Sequence, residues 1–275
     1  IWPVPFWEVP KSHVDRLRGR FPDVTFTHAV TEEEALARIE QADVALAPRM
    51  KPAFAQRAPR LKWVHSTAAA AGILPLDEFA ARGIIVTNSR GIQAVAMAEY
   101  VIGGLLVLSR RFNLTLNAQR EGRWIQGELS SVAWPWMLQG RTMTIVGLGT
   151  IGQEVARRAQ AFGFTVRAVR RRFGLPKPDF VDLVVGPDQL REALLGSDVL
   201  VVSAPFLPET NRLIGGNELA LLNQGSIIVN VGRGKIVDED ALIAALRNGH
   251  LGGAVLDVFE HEPLDAASPL WTLPN

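Results

Sequence analysis

The segment Thr144-Ile-Val-Gly147-Leu-Gly149-Thr150-Ile151-Gly152 carries the spacing G-x-G-x-x-G. It follows an apolar run, Thr142–Val146, and opens a helical pattern, Ile151–Phe162, which is the context in which such a loop binds a dinucleotide. Gly147 permits the tight turn, Gly149 lets a pyrophosphate approach the backbone, and Gly152 lets helix and strand pack closely. Thr150 and Ile151 open the helix whose N-terminus faces the phosphates. A glycine-rich turn with no ligand is the other reading of the motif. The end of the next strand decides which dinucleotide fits. There Val169 is followed by Arg170-Arg171-Arg172, with Arg170 eighteen residues beyond Gly152 and no acid nearby in sequence. A carboxylate at that point would hold a ribose 2′-hydroxyl, whereas guanidinium groups bind a 2′-phosphate. NADP(H) is therefore expected as the preferred cofactor, with NAD(H) usable if the arginines only form a solvated turn. A second candidate is Arg233, flanked by Gly232 and Gly234 in the loop after the strand Ser226–Val231. A fixed guanidinium at the carboxyl end of a parallel strand binds a carboxylate and polarises an adjacent ketone; a surface salt bridge is the alternative.

These residues need a scaffold, and the pattern supplies one. In the first third, Val24–Thr27, Val44–Ala47, Leu61–His65 and Ile84–Thr87 read as strands, and Glu32–Glu40 and Leu76–Arg82 as helices. Ala94–Arg120 reads as one or two helices, and Gly122–Gly140 as irregular. The alternation then restarts with strands at Thr142–Val146, Thr165–Val169, Val199–Ser203, Ser226–Val231 and Gly253–Asp257. A helix at Asp238–Asn248 is capped by Asp238 and stopped by Gly249. Strands alternating with helices imply parallel sheets covered on both faces. The expected fold is α/β, two Rossmann-like lobes in tandem: residues 1–93 a substrate-binding lobe and 94–275 a dinucleotide-binding lobe.

Composition narrows the function classes. Of 275 residues 48% are hydrophobic, enough for a sizeable core, and 29 basic against 28 acidic residues give a net charge of +1. Bulk charge gives no support to a nucleic-acid or anionic-membrane partner. There is no cysteine, which excludes disulfides, thiolate nucleophiles and cysteine metal sites. No His/Asp/Glu cluster has metal-ligand spacing, so no metal is expected. Tyr100–Leu108 is too short to span a bilayer and reads as a buried helix. The first residues lack the basic segment and long apolar stretch of a secretory leader, and a cytoplasmic location is expected.

Several motifs in a fixed order carry a resemblance. Besides the glycine loop they are Asn88-Ser89-Arg90-Gly91, Ala98-Glu99-Tyr100, Pro208-Glu209-Thr210, Val231-Gly232-Arg233-Gly234 and Leu256-Asp257-Val258-Phe259-Glu260-His261-Glu262-Pro263-Leu264. Together the chain resembles the D-isomer-specific 2-hydroxyacid dehydrogenases of the glyoxylate/hydroxypyruvate reductase type over most of its length. The resemblance implies an active site in the cleft between two lobes and a catalytic Arg, Glu and His. Arg233 matches the Arg. Glu262, preceding Pro263, matches the Glu that hydrogen-bonds the catalytic His and keeps its protonated form available; Glu260 is its rival. The matching His belongs soon after a segment like Pro269–Asn275, beyond Asn275, as does a final helix returning to the first lobe. His13, His28, His65, His250 and His261 do not occupy the matching position.

The resemblance further implies that Asp257 sits near the nicotinamide amide and that Ser203-Ala204-Pro205 and Val231-Gly232-Arg233 contact the cofactor. Ser203 stands where many members have His. The loop Ser66-Thr67-Ala68-Ala69-Ala70-Ala71-Gly72 resembles the loop whose backbone N–H groups bind the substrate carboxylate, although it is poorer in glycine and lacks the usual acid. Ala70, Ala71, Arg49 and Met50 are thus substrate candidates. The expected reaction is reduction of a small 2-oxo acid by hydride from NADPH. Alternatives are a formate- or phosphite-type dehydrogenase of the same superfamily, disfavoured in the formate case by Glu262 where such enzymes carry Gln, and a dinucleotide-sensing corepressor. Trp134, Trp136 and Phe206 either line a larger pocket or, for the tryptophans, pack an interface of the homodimer the resemblance implies.

Overall fold

The computed structural model describes residues 9–69, 74–132 and 134–275. The chain divides into two compact units, Ile1–Gln93 and Ala94–Asn275.

The first unit contains α1 (Lys11–Arg20), α2 (Glu32–Ile39), β1 (Val44–Leu46), α3 (Pro52–Gln56), β2 (Trp63–Ser66), α4 (Leu76–Ala81) and β3 (Ile85–Asn88). Its three strands are parallel in the order β1-β2-β3. Helix α2 starts where the sequence dictates: the Thr31 hydroxyl accepts from the Glu34 N–H at 3.1 Å, and the Glu34 carboxylate accepts from the Val30 N–H at 2.9 Å. Ala45 and Val64 point into a core with Ile39, Phe54, Leu61 and Phe79. The strand expected at Val24–Thr27 is absent. The carbonyl of Phe26 accepts from the Arg18 guanidinium at 2.9 Å, so a side chain of α1 satisfies that backbone instead of a ladder partner.

The second unit runs through α5 (Ala94–Ser109), α6 (Phe112–Arg120), α7 (Gln126–Val132), β4 (Thr142–Val146), α8 (Thr150–Ala161), β5 (Thr165–Val169), β6 (Leu183–Val185), α9 (Leu190–Leu194), β7 (Val199–Val202), α10 (Gly216–Leu219), β8 (Ser226–Asn230), α11 (Glu239–Arg247) and β9 (Leu251–Leu256). The strands form one parallel sheet in the order β6-β5-β4-β7-β8-β9. From β4 the chain winds outward through β5 and β6, then returns to the other side of β4 and continues through β7, β8 and β9. The switch point therefore lies between β4 and β7, where such sheets open a crevice at their carboxyl ends.

Both faces of this sheet are covered. On one, Ala98, Val101 and Leu105 of α5 and Val155, Ala156 and Ala159 of α8 pack on Ile145 and Val201. On the other, Leu194, Leu219, Leu242 and Leu246 pack on Val202 and Ile228. This two-sided burial is why β7 reads as an unbroken apolar run, with all four residues buried. The long Ala94–Arg120 pattern resolves into two helices, broken where Arg111 takes a left-handed conformation at φ 59°. Gly122–Gly140, expected to be irregular, contains α7. Its Gly127, Ser130 and Ser131 are weak helix formers that hid it from propensity, and both serine hydroxyls donate to carbonyls three residues back.

Candidate functional site

Three loops meet at the carboxyl ends of β4, β7 and β8. After β4, Gly147 turns with φ 103°, and a Cβ there would stand 2.5 Å from the Ala204 nitrogen in the loop after β7. A Cβ on Gly152 would overlap the Gly147 carbonyl oxygen. Ser203 holds the contact: its hydroxyl donates to that same oxygen at 2.7 Å, and its N–H donates to the Val146 carbonyl at 2.9 Å. Gly149 differs, because a Cβ on it would meet nothing within 4 Å. The space above Gly149 is therefore open, while the glycines on either side are closed by the protein. Gly149 is the extended N-cap of α8 and offers no side chain as a cap. The N–H groups of Thr150, Ile151 and Gly152 find no acceptor among the described residues. Unpaired donors at a helix N-terminus beneath an open glycine suit a pyrophosphate. Pro205 lies beyond Ala204 with its carbonyl taken by the Thr210 hydroxyl at 3.0 Å, and the Val231 N–H donates to Val202 at 3.0 Å, joining the third loop to the second.

The three consecutive arginines after β5 separate in the structure. The Arg170 guanidinium donates to the carbonyls of Leu175 and Pro176, which fixes the turn that carries the other two. Arg171 is exposed, with its Nη1 3.5 Å from the Glu209 carboxylate in the short helical turn after β7. Arg172 is exposed; its carbonyl accepts from the Leu175 N–H at 3.3 Å, and its guanidinium makes no hydrogen bond or ion pair among the described residues. The Arg171–Glu209 approach was invisible in sequence, where the nearest acid seemed remote.

Arg233 and Glu262 belong to one frame. Asn230, 1% exposed at the end of β8, accepts from the Gly232 N–H at 3.1 Å and donates to the Arg233 carbonyl at 3.2 Å. One side-chain amide thus splints the loop that carries Arg233. A Cβ on Gly234 would overlap the backbone of Phe259, so this loop lies directly against the turn that carries Glu262. The Arg233 guanidinium donates to the Gly232 carbonyl at 2.7 Å and has no carboxylate partner among the described residues. The two rival acids are distinguished by their partners. Glu260 accepts from Arg212 at 3.2 Å, and its N–H is taken by Glu239 at 3.1 Å. Glu262 is exposed, and among the described residues its carboxylate accepts only from the Phe259 N–H at 3.0 Å. Asp257 is exposed at the end of β9, its N–H donating to the Asn230 carbonyl at 3.0 Å. Burial, and then the charge of Asp257, raise the Tyr100 hydroxyl above its ordinary pKa. Asn230 and Arg212 were missed in the sequence; only the position of Asn230 just before the glycine-arginine loop pointed to it.

In the first unit, Arg49 is exposed and Met50 is buried within the core. Ala70 and Ala71 lie outside the described residues. The part of their loop that is described is well anchored. Ser66, fully buried, donates to the Pro48 carbonyl and accepts from the Ala68 N–H, and Asn88 donates to the Ala69 carbonyl at 2.7 Å. His65 stands at the end of β2 with its ring nitrogens 2.8 Å from Thr87 and 3.2 Å from Ser89.

The profile described as "D-isomer specific 2-hydroxyacid dehydrogenase, NAD binding domain" matches residues 102–275. The chain belongs to the D-isomer specific 2-hydroxyacid dehydrogenases. It is 34% identical over 267 residues to a glyoxylate reductase of Thermococcus gammatolerans, covering 93% of this chain and 78% of that protein. A solved D-isomer specific 2-hydroxyacid dehydrogenase family protein from Aeromonas salmonicida superposes with a TM-score of 0.83 at 35% identity, over 96% of this chain and 83% of that one. A family member from Xanthobacter autotrophicus, solved with NADPH and MES, gives a TM-score of 0.77 at 32% identity, over 98% and 83%. The chain is thus an oxidoreductase acting on CH–OH donors with a nicotinamide dinucleotide, and it catalyses hydride exchange between 2-hydroxy and 2-oxo acids. No helix among the described residues is long and apolar enough to cross a membrane.

Proposed function

We propose that this dehydrogenase reduces a small 2-oxo acid of the glyoxylate or hydroxypyruvate class and prefers NADPH. The observation that carries the reading is the Arg233 guanidinium, which has no carboxylate partner among the described residues and stands on a backbone splinted by Asn230. A bound nicotinamide supplies hydride to C2 of the oxo acid. Arg233 binds the substrate carboxylate and draws electron density from the adjacent carbonyl. Glu262 is the carboxylate that would hold a proton on the catalytic imidazole the family pattern implies, so that the developing alkoxide is protonated. Asp257 and the backbone of residues 203–205 and 231–233 orient the nicotinamide end. Arg171 and Arg172 receive the 2′-phosphate, with Arg170 ordering their turn. That the Xanthobacter relative was solved with NADPH supports this choice.

The protein is further proposed to be a homodimer joined through the second unit. In that unit a groove of about 1500 Å³ is lined by Leu116, Trp124, Trp134, Trp136 and Met137. Trp124 on its rim is 88% exposed, an arrangement suited to an apolar contact with a second copy.

The test is to follow NADPH and NADH oxidation by the full-length protein against glyoxylate, hydroxypyruvate, pyruvate and bulkier 2-oxo acids. Faster turnover with NADPH and a small oxo acid is expected. Faster turnover with NADH overturns the arginine assignment, and a preference for bulky oxo acids overturns the substrate class.

A further inference from the structure

Arg171 and Glu209 lie 38 residues apart in sequence, on loops after β5 and β7 that flank the glycine loop after β4 on either side. Both side chains are solvent-accessible, 69% and 58% exposed, so the pair is not a buried structural bridge. It lies at the end of the crevice to which the strand after the glycine loop brings the adenosine ribose of a dinucleotide. We propose that Glu209 is a specificity-determining residue for the cofactor: it holds Arg171 in competition with a 2′-phosphate. The inference rests on the reading of Arg171 as the phosphate-binding arginine.

The argument is one of charge. A guanidinium presents its donors in one fork; the Glu209 carboxylate stands 3.5 Å from one of them, Nη1, and must give way before a phosphate can take the whole fork. The displaced carboxylate then remains close to a group carrying up to two negative charges, and like charges at short range disfavour binding. NAD(H) meets neither obstacle. Its ribose hydroxyl is a donor, and a carboxylate is the group that accepts from such a hydroxyl. Glu209 therefore lowers affinity for NADP(H) while leaving NAD(H) unaffected or aiding it. The chain is expected to bind both dinucleotides, with a preference for NADP(H) narrower than three adjacent arginines alone would give. Arg170 cannot substitute for Arg171, because its guanidinium is committed to the carbonyls of Leu175 and Pro176.

The test is direct titration of the dinucleotides by fluorescence, with no substrate present, on wild type, Glu209→Gln, Arg171→Gln and the double variant. Glu209→Gln is expected to tighten NADPH by about two- to fivefold, the equivalent of an exposed ion pair worth up to about 1 kcal/mol. NADH should bind it unchanged or more weakly. Arg171→Gln should weaken NADPH selectively, and in that background removal of Glu209 should no longer tighten it through the pair. An unchanged NADPH Kd in Glu209→Gln, with Arg171→Gln still weakening NADPH, overturns the role of Glu209 and leaves the arginine reading intact. Tightening that persists in full in the Arg171→Gln background overturns the competition for Arg171. If Arg171→Gln binds NADPH as wild type does, the arginine reading fails and this inference with it. Both positions are exposed, and matched unfolding transitions will show that the variants are folded.

Discussion

Replacing Asn230 by Ala should separate the positioning of Arg233 from the binding of cofactor. The Asn230 side chain is 1% exposed and makes two hydrogen bonds, accepting from Gly232 N–H at 3.1 Å and donating to the Arg233 carbonyl at 3.2 Å. Truncation removes both and leaves a buried N–H and a partly buried carbonyl without partners. At about 1 kcal/mol per lost bond, plus a desolvation penalty for the stranded groups, the loss of stability should be about 2–4 kcal/mol. The functional effect follows from geometry. The splint fixes the backbone on which the guanidinium is built, and a displacement of about 1 Å at such a group lowers turnover by about 100-fold. The glycine loop after β4 keeps its own hydrogen bonds, so NADPH affinity should fall less than kcat/KM, the part lost coming from the loosened 231–233 backbone at the nicotinamide end. The assay is urea unfolding together with kcat/KM per folded molecule and NADPH titration. Asn230→Asp keeps the acceptor for Gly232 but turns a negative oxygen toward the Arg233 carbonyl, so it should rescue little. If Asn230→Ala loses stability yet keeps kcat/KM within about threefold, the splint does not position Arg233 and the reasoning is refuted.

Two glycines of one loop should respond oppositely. Gly149→Ala places its methyl in open space, so thermal stability should hold while dinucleotide affinity, read by titration, falls at least about tenfold as pyrophosphate is excluded. Gly152→Ala places its methyl on the Gly147 carbonyl and should lower the unfolding midpoint by about 1–3 kcal/mol equivalent as the core shifts to admit it. Arg233→Lys retains the charge but loses the fork; steady-state kinetics should show kcat/KM down by about 100- to 1000-fold with NADPH binding little changed. Trp124→Asp should turn the proposed dimer into monomer in sedimentation experiments without unfolding the chain, because its side chain is 88% exposed in a single copy.

What the sequence disclosed depended on range. The glycine loop, the strands beside it and the Asp238 cap are local patterns, each contained in about a dozen residues, and they stand in the structure within a residue or two of their expected bounds. The three-residue β6 is too short to show a period, and α7 is built from residues that propensity does not favour. The strand expected at Val24–Thr27 failed because an arginine of α1 supplied what a ladder would have supplied. The pairings that tune the site were illegible for a different reason. Arg171 meets Glu209 across 38 residues, through a strand order that reverses at β4, and Arg212 meets Glu260 across 48 residues, between the loops after β7 and β9. No window of sequence contains both partners.

The same pairings decide which charged groups remain available for a ligand, which their residue types alone do not. Arg167 donates to the Leu195 carbonyl at 2.8 Å, and Arg170 to those of Leu175 and Pro176; these guanidiniums close loops. Arg212, in a left-handed conformation at φ 49°, bridges Asp238 at 3.3 Å and Glu260 at 3.2 Å. That bridge neutralises Glu260 and fastens its turn to the start of α11, so that of the two acids flanking His261 Glu262 is the one whose carboxylate meets no cation among the described residues. The Arg233 guanidinium likewise has no carboxylate partner among the described residues and donates instead to the Gly232 carbonyl. Arg233 and Glu262 are both exposed, so water solvates the two charges and neither needs the other as a partner. The Asn230 splint fixes the backbone of Arg233, and the Phe259 N–H holds the Glu262 carboxylate, on two turns that meet at the Gly234–Phe259 contact. Loss of Arg212 should therefore act on the reaction at a distance: with Glu260 released, its turn loosens and Arg233 gains a competing anion. Arg212→Gln is expected to raise KM for the oxo acid by about tenfold or less with NADPH binding unchanged. An equal loss in NADPH affinity would mean that Arg212 supports the whole sheet edge rather than this turn.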